Sequence, residues 1–258
     1  MMAMKMKFFL GSLACTLLFG ACASHYQVTG IERTRGLIDK RYNAPIDEGA
    51  TQFMVPYKHV VDSMMSPVVG RVARYMAAKR PESPLSNLLA DILVWAGKAY
   101  GEQPDFALYN MGGIRAALAE GDVTYGDVVE VAPFENKISF CTLTGENVME
   151  LFRQVASTGG EALSHGVELV ITADGQLKSA RLNGKEIDPQ AQYRIATIDY
   201  VAQGNDKMLA FKKKTDANLP QEVSNNVRFV IMEFLREQMK QGIVVDREVE
   251  GRITVIEN

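Results

Sequence analysis

The sequence predicts a single α+β domain with a mixed or antiparallel sheet, hairpins and packed helices. Three observations predict it. Leu85, Leu88, Leu89, Ile92, Leu93 and Ala96 recur at helical spacing between Pro84 and Gly97, which marks a helix with one buried face. Asp174-Gly175 and Asn183-Gly184 separate strand-like apolar runs, and such pairs supply the left-handed backbone that tight hairpins need. Single helices alternate with these hairpins, a pattern of segregated rather than doubly wound α and β elements.

Residues 24–53 are polar and carry Gly30, Gly36, Pro45 and Gly49, so they read as a linker. A short amphipathic helix is expected over 57–65, ended by Ser66-Pro67, followed by a strand over 68–75 and the buried-face helix. A strand over 106–109 runs into Asn110-Met111-Gly112-Gly113. One helical turn or bend is expected over 126–131, then a strand over 138–143, with Thr144 capping a helix to about Ala156. Strands follow over 167–172, 177–182 and 192–197, then an amphipathic helix over 225–241 and a last strand over 252–256. The expected division is a signal over 1–22, a linker over 23–54 and one domain over 55–258.

The chain has 258 residues, 47% apolar and 23% charged, with a formal net charge of −3, ordinary for a globular protein. Lys5 and Lys7 precede an apolar stretch, Phe8 to Ala21, and then Cys22. A positive start followed by a short apolar stretch and small residues reads as an export signal, too short for a permanent membrane span. Leu18-Phe19-Gly20-Ala21-Cys22 resembles a lipoprotein cleavage site, which would leave Cys22 lipidated at the periplasmic face or outer membrane. Ala21-Cys22-Ala23 also suits ordinary signal peptidase, which would leave a soluble periplasmic protein. Without Lys5 and Lys7, 26 of the 28 basic residues remain against 31 acids, a net of −5. That balance argues against a nucleic-acid binder. Cys141, in an apolar run, reads as a small core residue, so neither a disulfide framework nor a thiolate metal site is indicated.

Three segments carry chemistry. In Asn110-Met111-Gly112-Gly113-Ile114-Arg115, Gly112 and Gly113 permit close backbone approach, Asn110 offers an amide, and Arg115 can fork two N–H groups onto a phosphate. A tight turn with a surface arginine would look the same. Phe134 follows Pro133 between two apolar runs and could be a stacking platform or a core residue. Tyr200 and Asp206 share the polar segment after the strand over 192–197. Such a segment could stack a flat ring and accept ribose hydroxyls, or be a plain surface loop.

In this order the segments resemble the C-terminal domain of 5′-nucleotidases, the family of bacterial UDP-sugar hydrolase and ecto-5′-nucleotidase. The resemblance starts at Pro81-Glu82-Ser83-Pro84-Leu85-Ser86-Asn87-Leu88-Leu89-Ala90-Asp91 and continues through the Asn110-to-Arg115 segment, where the family has N-G-G-x-I-R or close variants. It includes Gly121-Asp122-Val123-Thr124-Tyr125, the Pro133-Phe134 pair and the loop ending in Asp206, and spans roughly 55–258. It implies a nucleotide or nucleoside pocket: Asn110 and Arg115 on the substrate, the arginine on phosphate; Phe134 and Tyr200 around the base; Asp206 on the ribose. Ser86 stands where Gly is usual, Tyr200 where Phe is usual, and Lys207 where the family loop ends in Gly. A further phosphate arginine falls near Lys79 and Arg80.

In that family hydrolysis belongs to a separate metallophosphoesterase domain with a dinuclear site built from D-x-H, G-D and G-N-H-[DE] segments. Here only His25, His59 and His165 occur, and no D-x-H or N-H-E is present. Two metal ions that clamp a phosphoryl group need several such ligands. The resemblance therefore implies no metal or other cofactor and no catalytic residue on this chain. The divalent metal pair is expected on a separately encoded partner chain. The alternatives are an exported nucleoside- or nucleotide-binding protein without catalysis, and an interaction module whose pocket has decayed.

Overall fold

The computed structural model describes residues 28–36 and 46–257. The export segment, Cys22 and His25 lie outside the described residues. Phe53–Asn258 forms one compact unit.

The first helix, α1 (Glu48–Met65), starts nine residues earlier than expected. The Asp47 carboxylate accepts from the Ala50 amide at 2.9 Å and so supplies the missing cap, while Pro56 sits inside the helix rather than before it. No residue of α1 is buried. β1 (Val68–Val72) is shorter than expected, because after Val72 the chain bends and Ala73 donates to Val245. α2 (Pro84–Ala96) is the anticipated buried helix. Its cap also explains Ser86: the Ser83 amide donates to Ser86 Oγ at 3.0 Å, and Ser86 N returns a bond to Ser83 Oγ. This reciprocal arrangement satisfies two otherwise orphaned amides.

Then follow β2 (Phe106–Tyr109), β3 (Gly121–Thr124), α3 (Tyr125–Val131), β4 (Ile138–Thr144) and α4 (Gly145–Ser157). Thr124 and Asp127 form the box that starts α3, and Thr144 caps α4 as expected. β5 (Ala162–Leu163), β6 (Val167–Thr172), β7 (Leu177–Leu182), β8 (Lys185–Glu186), β9 (Gln192–Ile198), α5 (Asp199–Ala202), β10 (Thr215–Asn218), α6 (Val227–Lys240) and β11 (Ile253–Ile256) complete the unit.

The strands form a mixed five-stranded sheet ordered β10-β4-β9-β2-β5, a four-stranded sheet ordered β11-β6-β7-β8, and the β1-β3 pair. The mixed α+β class read from the sequence is the one observed. Leu85, Leu88, Leu89, Ile92 and Leu93 of α2, Phe106 and Leu108 of β2, and Phe140 of β4 are fully buried in one continuous core. Cys141 is buried in β4, as expected, and burial pushes its thiol up to about 12.

Candidate functional site

Three segments arrive at one end of the five-stranded sheet, and strand register explains why. β2 and β9 are parallel neighbours, with Phe106 opposite Ile195 and Ala107 opposite Ala196. Their carboxyl ends therefore release the chain side by side, at Asn110 and at Asp199. β4 runs antiparallel to β9 with Ile138 opposite Ile198, so the segment entering β4, which carries Phe134, meets the same end. Carboxyl ends of adjacent parallel strands are a recurrent place for ligand crevices.

Asn110, Gly112, Gly113, Phe134, Asn136, Tyr200 and Asp206 line one cleft there, with a volume of about 250 Å³. Six of the seven site residues expected from sequence are thus brought together. Phe134 and Tyr200 are 48% and 39% exposed, so both rings are open to an incoming molecule rather than absorbed into the core. Tyr200 rides on the short helix α5, not on the plain loop expected from its polar surroundings.

Asp206 is the hub of the cleft. Buried Asn110 donates its Nδ2 to Asp206 Oδ2 at 2.6 Å, and the Tyr200 hydroxyl donates to Asp206 Oδ1 at 3.0 Å. Each carboxylate oxygen still has a lone pair for a further donor. The bond to Asp206 holds the Tyr200 phenol above its ordinary value. Asp206 and Lys207 have φ of 51° and 67°. Both lie in the left-handed region, where a side chain costs energy, and Lys207 is the one of the two that stands where the resemblance expects glycine.

Arg115 does not line the cleft. It is exposed beside it, with its Nη1 donating to Gly112 O at 3.3 Å and its guanidinium carbon 6.0 Å from the Phe134 ring centroid. That distance is the outer limit of a cation–π contact. Of the two candidates for a further cation, Arg80 is paired with buried Glu161 and donates its Nε to Gly160 O at 2.8 Å.

Sequence reasoning missed Asn136 and Glu161. Asn136 stands two residues beyond Phe134, and that spacing from an aromatic already singled out was the available signal. Glu161 follows the Gly159-Gly160 pair, and nothing local distinguishes it. Burial pushes its carboxyl up, while the Met111 amide and Arg80 pull it down.

Among the described residues, no group of three or more His, Cys, Asp or Glu side chains is placed to hold a metal ion. His165 instead pairs with Glu250, at 2.8 Å, and His59 lies on exposed α1. Among the described residues this donor set does not fit a dinuclear centre.

The family model described as 5′-nucleotidase, C-terminal domain, matches residues 66–213. The trifunctional nucleotide phosphoesterase protein YfkN of Bacillus subtilis is 31% identical over 236 residues, covering 81% of this chain and 16% of that protein. A 5′-nucleotidase of Vibrio cholerae is 32% identical over 146 residues, covering 55% of this chain and 25% of that one. The crystal structure of a 5′-nucleotidase precursor from Thermus thermophilus superposes with a TM-score of 0.70 at 26% identity, over 84% of this chain and 45% of its own. The chain spans less than half of each of these three relatives.

Proposed function

Because the chain belongs to the 5′-nucleotidase C-terminal domain family, we propose that it is the nucleotide-recognition part of a 5′-nucleotidase-type phosphoric ester hydrolase. The observation that carries this reading is one cleft joining two exposed aromatic rings, a buried amide and a carboxylate: Phe134, Tyr200, Asn110 and Asp206. A flat base stacks on aromatic faces whatever its substituents, and the free lone pairs of Asp206 accept ribose hydroxyls. A volume near 250 Å³ lies just below the usual range for ligand pockets, which begins at about 300 Å³. It suits a nucleoside whose phosphate projects outward to Arg115. Binding base and ribose then orients the phosphate for attack by another component.

That component is a separately encoded metallophosphoesterase chain, which carries the divalent metal pair. The recognition chain is exported and held at the periplasmic face or outer membrane through a lipid on Cys22. Among the described residues no helix is long and apolar enough to cross a membrane, which is compatible with anchoring by lipid alone.

Calorimetry with AMP and adenosine tests recognition. Phe134→Ala and Tyr200→Ala are each expected to weaken both ligands about tenfold, from a stacking contribution of about 1–3 kcal/mol. Asp206→Asn is expected to weaken adenosine but leave 2′,3′-dideoxyadenosine unchanged. Absence of nucleoside binding by the unaltered protein would refute the reading. Purified alone, the chain is expected not to hydrolyse AMP, and to support turnover when the metallophosphoesterase chain and a divalent metal are added. Chelator-sensitive hydrolysis by the chain alone overturns this division of labour. Binding that no partner converts to turnover identifies a non-catalytic nucleotide-binding protein instead.

A further inference from the structure

Behind the glycine turn of the cleft lies a carboxylate that the nucleotide reading does not use. β5 pairs antiparallel with β2, Leu163 opposite Leu108 and Ala162 opposite Tyr109. Continuing that register by one residue sets Glu161 opposite Asn110, on the interior side of the turn. Its side chain is 2% exposed. Oε2 accepts from the Met111 amide at 2.5 Å, and Oε1 pairs with Arg80 Nη2. Arg80 is held in turn by Gly160 O.

The backbone brings these groups together. Gly160 has φ of 109°, and a Cβ on it would lie 2.6 Å from Pro81 O, so only glycine allows the 159–161 segment to press against Arg80-Pro81. Three separate stretches, 80–81, 110–113 and 159–161, therefore meet at one carboxylate. A buried charge is costly unless paired and hydrogen-bonded, and here both oxygens are engaged. An apolar residue would fill the same space but would leave the buried Met111 amide without its acceptor. That amide opens the 3₁₀ turn Met111–Gly113, whose Gly112 and Gly113 line the cleft.

The geometry points to Glu161 as a positioning residue for the nucleotide cleft: it holds the Met111 amide from behind, and so sets where Asn110, Gly112 and Gly113 face the ligand. Arg80 neutralises this carboxylate and is thereby committed to the scaffold. The inference rests on the nucleotide reading for its consequence, though not for the contact itself.

The test compares Glu161→Gln, Glu161→Leu and Leu182→Ala in the whole mature protein. Leu182 is a buried residue of the β6–β7 hairpin and serves as a control for general destabilisation. AMP affinity is read by calorimetry, and hydrogen exchange of a peptide spanning 110–115 by mass spectrometry. Glu161→Leu is expected to weaken AMP about fivefold or more, the size of one lost hydrogen bond, and to speed exchange of that peptide. Glu161→Gln keeps one acceptor, for the Met111 amide, while its NH2 faces the half-exposed Arg80, and is expected to weaken AMP less than Glu161→Leu does. Leu182→Ala is expected to lower the melting temperature without changing either readout. Unchanged exchange over 110–115 in Glu161→Leu overturns the inference. So does Glu161→Gln binding as weakly as Glu161→Leu. If the unaltered protein binds no AMP, the nucleotide reading falls, and the exchange measurement still decides whether Glu161 holds the turn.

Discussion

Asn110 reaches Asp206 because residue 113 has no side chain: a Cβ there would lie 2.6 Å from Asn110 Oδ1 and 3.1 Å from the Tyr109 ring. Neither neighbour can yield, since Tyr109 is 2% exposed and Asn110 3% exposed, and well-packed interiors do not give way cheaply. Gly113→Ala is therefore expected to displace the Asn110 amide, break its bond to Asp206 and lower AMP affinity about tenfold, the cost of disordering a charge-assisted contact. Circular dichroism should be unchanged. Retained affinity with an intact Asn110–Asp206 bond would show that the turn has slack not visible here. At this scale much of the cleft was legible only through the resemblance to the 5′-nucleotidase C-terminal domain, which supplied the roles of Asn110, Phe134, Tyr200 and Asp206. Residue type and spacing alone left a tight turn, a core residue and a surface loop open. Asn136 and Glu161 were not, since one polar residue in a polar stretch carries no period. Arg115 was legible as a cation beside the turn, while its position at the rim depends on side-chain rotation, which no spacing encodes.

Arg194 does for the sheet elements what Asp206 does for the cleft. From β9 it forks onto Glu102 at 2.7 and 2.8 Å, reaches Thr142 of β4 at 3.1 Å, and meets the Asp216 carbonyl of β10. One guanidinium thus joins three adjacent strands and the 101–105 loop. The bond from Arg194 holds the Glu102 carboxyl below its ordinary value, against the opposing effect of burial. A depressed folded value means that the contribution to stability is complete above the unfolded value, about pH 4.3 for glutamate, and is lost as pH falls through the lower folded one. Glu102→Gln is expected to lower the urea midpoint at pH 7 and to flatten its further fall in acid below about pH 4.3. An acid limb as steep as in the unaltered protein would show that Glu102 is not among the groups that drive it. The elements so joined were unevenly readable. α2, α4 and the β6–β7 hairpin announce themselves by period and turn residues. β5 and β8 are two residues long, and β3 and β10 are four. β5 and β8 are too short to show a pattern, and β3 and β10 bury one side chain at most, so none carries the apolar run that made β2 and β11 readable at the same length of four. The early start of α1 was not legible: the expected helix began at 57, whereas its Asp47 cap lies in a polar stretch read as linker and Pro56 falls inside the helix.

Across the whole molecule, the order of the strands is the property least accessible from local pattern, and the C-terminal strand shows why. β11 was anticipated as a strand, but nothing in its residues says that it joins β6 in parallel, Ile253 opposite Leu169 and Ile256 opposite Thr172. What directs it there is a charge network anchored on α2, far away in the chain. Arg252, 3% exposed, donates to both Asp91 oxygens at 2.8 and 2.9 Å and to Leu163 O at 2.7 Å. Asp91 also receives Arg247 Nε at 3.1 Å and the His165 amide at 2.8 Å. Glu82, just before α2, accepts from the Glu250 amide at 2.7 Å and from Ile253 N at 3.3 Å. The residues just ahead of β11 are thus fastened to the helix, which fixes where the strand meets the sheet edge. A buried charge stripped of every partner costs about 3–5 kcal/mol. Asp91, however, keeps Arg247 and the His165 amide when Arg252 is removed, and Arg252 keeps Glu250 at 3.1 Å when Asp91 is removed. Arg252→Leu and Asp91→Leu are therefore each expected to lower unfolding stability, by less than that amount. The double replacement should cost less than the sum, because the bonds between Arg252 and Asp91 are then lost only once. The cleft residues share no hydrogen bond with this network, so AMP affinity of the folded variants should stay within about twofold. Urea unfolding of the two single variants and the double variant, followed by calorimetry, checks both halves. Strict additivity of the unfolding energies would mean that the pair acts through packing alone, and a large loss of affinity would mean that the cleft and the C-terminal strand are mechanically coupled.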